Sequence, residues 1–121
     1  MIIVWRSLLK NTKISGITLF PLIILRTQTL RKNKVLINHE KIHLRQQLEL
    51  LVIFFYIWYV IEYYYWYFKL KNAHQAYLAI SFEREAYANE HDMEYLKKRK
   101  FWSFLNYSNK RHQRLDKNQD L

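Results

Sequence analysis

His39, Glu40 and His43 lie together in the stretch INHEKIHLRQQ, residues 37–47. Histidines at i and i+4 leave a helix from the same face, at a separation that one Zn2+ ion can bridge through two imidazole nitrogens. Glu40 falls beside that face without joining it, the position of a base that takes a proton from metal-activated water. Two solvated histidines on an exposed amphipathic turn would produce the same short pattern. A third ligand carries more weight. Ala76, Ile80, Glu83, Tyr87 and Glu90 form one helical stripe further along the chain. A carboxylate on so apolar and aromatic a stripe is costly unless something compensates it. A metal shared with His39 and His43 would do so, as would a salt bridge from Glu83 to a lysine or arginine. Gln46, one turn past His43, is placed to orient a ligand through a hydrogen bond. Glu85 lies about 200° around the helix from Glu83. It shares its side with Ser81 and Asn89 and is expected in solvent. His74, His91 and His112 read as surface residues.

The elements that must position these groups can be outlined from pattern alone. ISGITLFPLIILRTQ, residues 14–28, is β-branched and apolar and contains Pro21, so it reads as an edge strand or strand pair. The basic loop RTQTLRKNK leads into a helix that begins at Val35. Residues 50–68 carry one charge, Glu62, and eight tyrosines or tryptophans. That run is long enough to cross a bilayer, yet its aromatic content suits an interface or a buried helix equally. Asn72 and Gln75 form a capping pair for a single helix over 73–100. If 36–70 were one straight helix, His43 would stand about 40 Å from the turn at 71, and Glu83 only about 18 Å back along the next helix. A shared ion therefore demands that the first helix end or bend between Arg45 and Tyr56.

The totals bound the possibilities. A chain of 121 residues makes one domain; residues 1–105 form it and 106–121 read as a polar, basic tail. No cysteine is present, so disulfides and thiolate metal sites are excluded and any metal must be held by imidazole and carboxylate. One glycine and one proline leave little turn material, which favours long helices. The formal net charge of +10 suits an anionic membrane surface or nucleic acid. Nucleic acid is the weaker partner, because the tyrosines cluster in an apolar run and do not alternate with arginines. No secretory signal is evident at the N-terminus.

INHEKIHLRQQLELL, followed by an aromatic helix and then SFEREAYANE, resembles the membrane-bound zinc metallopeptidases of the BlaR/MecR antirepressor type, which are gluzincins. GITLFPLIIL is similar to that family's segment leading to the strand over the active site, and the likeness covers roughly residues 14–94. The resemblance implies a mainly α, α+β fold: a zincin-like helix packed with a second, glutamate-bearing helix and an edge strand. It implies a Zn2+ cofactor held by His39, His43 and Glu83, with Glu40 as general base and peptide-bond hydrolysis as the reaction. Where the family carries an aspartate four residues after the third ligand, this chain has Tyr87, here a supporting residue and candidate oxyanion donor. The substrate would be a peptide or protein, added along the edge strand near Pro21–Leu25. Such a protein would be membrane-associated or cytoplasmic. The alternative from composition is a non-catalytic protein binding an anionic membrane surface through its basic residues and aromatic helix.

Overall fold

The computed structural model of the chain describes residues 1–108. His112 and most of the basic tail lie outside them. The described residues are mainly helical with a small three-stranded mixed sheet, an α+β arrangement. In chain order come β1 (Ile2–Val4), α1 (Arg6–Leu9), β2 (Gly16–Leu19), β3 (Leu22–Leu25), a 3-10 turn (Gln28–Lys32), α2 (Lys34–Glu49) and α3 (Ile53–Leu70). Then follow α4 (Ala73–Ala79), α5 (Ser81–Asn89), α6 (Tyr95–Lys98) and a second 3-10 turn (Ser103–Tyr107).

The strand order β1-β3-β2 corrects one expectation. Residues 22–25 form the central strand, with β1 parallel on one side and β2 antiparallel on the other. The N-terminal Ile2–Val4 supplies the neighbour that makes β3 internal, and Ile23, Ile24 and Leu25 are accordingly buried. Pro21 is not in a ladder at all. It occupies the β2–β3 turn after a cis Phe20–Pro21 bond, where its missing N–H breaks no pairing. The edge strand beside α2 is therefore β2, fastened by Gln47. That side chain accepts from the Phe20 N–H at 2.9 Å and donates to the Thr18 carbonyl at 2.8 Å.

The required bend is present. Helices α2 and α3 meet at 112°, with Leu51 and Val52 at φ 55° and 64°. No glycine or proline forces the corner. Leu50 and Phe55 both bury into one aromatic cluster with Ile80, Phe82 and Phe104, and the chain between them must reverse to allow it. Val52 is held by its N–H on the Gln47 carbonyl at 2.7 Å, and the Ile53 N–H reaches the Leu51 carbonyl at 2.6 Å. This is a γ-turn centred on a β-branched residue, a strained conformation.

The single helix expected over 73–100 is three shorter ones. Asn72 caps α4, accepting from the Gln75 N–H at 2.9 Å. The helix then stops at Ile80, which turns extended (ψ 132°) and is fully buried. The cause is tertiary. Glu62 of α3 accepts from both the N–H and the hydroxyl of Ser81, at 3.0 and 2.5 Å. Its carboxylate so begins a new helix, where negative charge is favoured. Helix α5 then runs against α2. At its far end the Asn38 amide lies 3.4, 2.8 and 3.0 Å from the carbonyls of Asn89, Glu90 and Asp92.

The Val52 turn makes a test of the corner. Val52→Gly should keep the fold and leave stability equal or higher by up to about 1 kcal/mol, because Gly tolerates positive φ. Val52→Pro removes the N–H and fixes φ near −65°, and should cost about 3 kcal/mol or more. Chemical denaturation of the two variants measures both.

Candidate metal centre

Helix α2 presents His39 and His43 inward, both buried, and α5 answers with the buried Glu83. The two imidazole Nε2 atoms are 3.1 Å apart. Glu83 Oε1 lies 3.2 Å from that of His39 and 2.9 Å from that of His43. These three atoms form a nearly equilateral triangle. Ligands about 2.0–2.1 Å from a tetrahedral ion are separated by roughly 3.3 Å, so the triangle matches one face of such a site, slightly contracted. Among the described residues, His39, His43 and Glu83 are a buried group that could hold a metal ion.

Each candidate ligand atom is aimed by a neighbour. His43 Nδ1 is 2.8 Å from Gln46 Oε1; an amide oxygen only accepts, so Nδ1 carries the proton and Nε2 is left for the centre. Gln46 is itself fixed, donating to the Phe82 carbonyl at 3.1 Å and to Glu85 Oε1 at 2.9 Å. His39 Nδ1 meets Glu90 Oε2 at 2.7 Å. The Tyr59 hydroxyl donates to Glu83 Oε2 at 2.9 Å, which leaves Oε1 toward the histidines. Imidazole ligands supported by a carboxylate or carbonyl at the far nitrogen are the usual arrangement of metal-binding histidines.

Glu40, buried next to the triangle, is braced by β2. The Thr18 hydroxyl lies 2.7 Å from Glu40 Oε2 and 2.9 Å from its carbonyl oxygen. Gly16 lies against this carboxylate, and a Cβ there would stand 3.6 Å from Glu40 Cγ, an ordinary contact, but a tight 3.2 Å from Leu25 Cδ2. A cleft of about 750 Å3 opens on the three candidate ligands and Glu40, bounded by Gly16, Tyr56, His74 and Tyr77.

Gln46 thus supports His43. Tyr87 reaches the site through its ring, which meets His39 edge-on with centroids 4.5 Å apart, and its hydroxyl pairs with that of Tyr77 at 2.9 Å. The carboxylate at His39 comes instead from Glu90, one turn later on the same stripe. Tyr59 and Thr18 gave no sequence signal, one hidden in an aromatic run and the other in a short strand. His74, expected to be ordinary surface, is exposed at the rim of the cleft. Glu85 overturns its expectation. It is completely buried, paired with Arg99 through both carboxylate oxygens and accepting from the Tyr95 hydroxyl at 2.6 Å. Arg99 also reaches Glu49 at 2.7 Å, and its side chain is fully excluded from solvent. The partner of Glu85 lies fourteen residues away in sequence, beyond the local pattern of Ser81 and Asn89.

Electrostatics follow from this burial. Desolvation alone pulls the His43 pKa down, but the Glu83 charge and hydrogen bond outweigh it and raise it to about 9. Burial pushes Glu83 up, and the two histidines more than reverse it, holding the carboxyl well below its usual range.

No protein-family model, curated protein or solved structure matches the chain.

Two outcomes follow. In metal-free protein the Glu83–His43 pair contributes fully between the ordinary ionisation of glutamate, 4.5, and of histidine, 6.5. Raising the pH through about 9 removes the His43 proton and that stabilisation. Lowering it toward the depressed Glu83 range removes it from the other side. Calorimetry in chelator should therefore show an unfolding temperature that falls from pH 6.5 to beyond 9; a flat profile would mean that His43 is neutral. Separately, Glu85→Ala leaves Arg99 with Glu49 alone of its two carboxylates and should cost about 1.5–3 kcal/mol in urea unfolding. A loss under about 1 kcal/mol would mean the pair is exposed in solution.

Proposed function

We propose that the chain is a zinc-dependent peptidase that cleaves extended polypeptides. The observation that carries this is the triangle of His39 Nε2, His43 Nε2 and Glu83 Oε1, with edges of 2.9–3.2 Å and a buried carboxylate beside it. Without metal the three groups compensate one another as an ion pair; two imidazole nitrogens and a carboxylate oxygen converging on one point are also the donor set of a metal ion, which a non-catalytic membrane-surface protein does not call for.

His39 and His43 would hold the ion through Nε2 and Glu83 through Oε1. A bound Zn2+ supplies Lewis acidity, polarising a carbonyl and bringing a water proton within reach of neutral pH. Glu40 accepts that proton at its carboxylate and returns it to the departing amine. Thr18 fixes the orientation of this carboxylate through Oε2. Tyr59 keeps Glu83 from turning its second oxygen inward, and Glu90 and Gln46 keep both imidazoles in the tautomer that presents Nε2.

The substrate class follows from β2. With Gly16 opposite Leu25 and the Arg26 N–H on the Ser15 carbonyl, the peptide groups of Gly16 and Thr18 point away from β3. The Thr18 carbonyl is taken by Gln47 and Tyr56, but Gly16 borders the cleft. An extended chain can pair with that short free edge.

Elemental analysis of purified protein should give about one zinc per chain, with marked thermal stabilisation on adding zinc to stripped protein. His43→Ala should lose the metal, and Glu83→Ala should weaken binding at least ~10-fold. Glu40→Gln should retain metal and fold while abolishing cleavage of a quenched-fluorescence peptide library, because an amide cannot take the proton. Metal-free protein indifferent to added zinc would defeat the proposal. An unchanged rate in Glu40→Gln would defeat the assigned base.

A further inference from the structure

The largest feature outside the site is the outward side of α3. Leu51, Ile53, Phe54, Ile57, Ile61 and Tyr64 are each half or more exposed, at spacings that make a continuous helical stripe. The one acid of the helix, Glu62, is turned inward to Ser81. Contiguous exposed apolar surface of this extent marks a docking face. Among the described residues nothing covers it. Residues 109–121 have two leucines among polar and charged residues, a composition unsuited to such a stripe.

We propose that this face and the α2–α3 corner seat on one leaflet of an anionic lipid bilayer. The order of residue types along the helix selects lipid over a protein partner. Aliphatic side chains and Phe54 occupy the corner end, the aromatic residues Tyr64, Tyr65, Tyr67 and Phe68 follow, and the exposed Lys69 and Lys71 close the series. Hydrocarbon, interface and phosphate succeed one another in that order across a leaflet, and a protein surface imposes no such gradient. The length agrees. Ile53 to Tyr64 rises about 16 Å, against about 15 Å for the hydrocarbon of one leaflet. No single helix among the described residues is long and apolar enough to cross a membrane. The net charge of +10 complements anionic headgroups.

The opposite side of α3 bears Phe55 and Tyr59, which line the cleft. Docking thus sets the cleft across α3 from the inserted face, about one helix diameter, roughly 10–12 Å, to the side and at the level of the same leaflet. Polypeptide segments at the membrane surface become the substrates within reach. That addition rests on the peptidase reading; the docking itself does not, and metal content reports on the former alone.

The test is flotation of the full 121-residue chain, synthesised cell-free with vesicles present. Mixed phosphatidylcholine–phosphatidylglycerol vesicles should carry it upward, and pure phosphatidylcholine far less. Ile57→Glu combined with Ile61→Glu should lower partitioning at least ~10-fold, with circular dichroism unchanged because both positions are exposed. Lys69→Glu with Lys71→Glu should lower it on anionic vesicles, as should added salt. Undiminished flotation of the Ile57/Ile61 variant would overturn the assigned face, and equal flotation on both vesicle types would overturn the anionic preference. Protein that stays dense and forms a dimer abolished by the same two substitutions would make this face a contact between copies.

Discussion

Helices α2 and α5 meet along a seam of polar groups. From one end to the other, Asn38 meets the carbonyls of Asn89, Glu90 and Asp92, and His39 meets Glu83 and Glu90. His43 then meets Glu83, Gln46 meets the Phe82 carbonyl and Glu85, and Glu49 meets Arg99. Apolar surfaces can slide over one another at modest cost. Buried donors and acceptors cannot, since each unmade bond leaves a desolvation penalty of about 1–3 kcal/mol. The seam therefore sets the axial register of the two helices, and that register gathers the three candidate ligand atoms into one triangle.

The rest of the architecture serves to hold the seam dry and in place. The sheet closes one flank of α2, Thr18 joining β2 to the helix at Glu40 and Gln47 joining it about two turns further on. The aromatic cluster around Phe82 and Phe104 closes another, and it is this cluster that draws Leu50 and Phe55 inward and makes the corner. Arg99 brings the chain after α6 across Glu49 and Glu85, so the segment beyond the site also stabilises it.

What could be read from the sequence was whatever depends on local spacing. The histidine pair, its glutamate, the side of α5 that carries Glu83, Tyr87 and Glu90, the Gln46 contact and the Asn72 cap each lie within about two helical turns. The need for a bend was legible too, as a distance that a straight helix could not satisfy. Its position at Leu51–Val52 was not, because no residue there prefers positive φ and the cause is burial of the residues on either side. Tertiary contacts account for the other differences. Glu62 ends α4 from another helix, the N-terminal strand makes β3 central, and Arg99 takes Glu85 out of water from fourteen residues away. Glu85 was judged by Ser81 and Asn89, and both proved to be part of the packed interior or its margin.

Glu62 has a further consequence for how α3 finds its orientation. A helix with tyrosine, tryptophan, phenylalanine or aliphatic residues on nearly every side has almost no azimuthal preference, and several rotations about its axis would bury comparable area. Such near-degenerate packings are the source of glassy, poorly defined folded states. One carboxylate changes this: only one rotation lets it meet the Ser81 N–H and hydroxyl, and a rotation that kept it inside without them would leave a charge in an apolar environment. Glu62 acts as a rotational key. It selects a single phase for an otherwise indiscriminate cylinder, and with it decides which tyrosine, Tyr59, faces the candidate ligand Glu83.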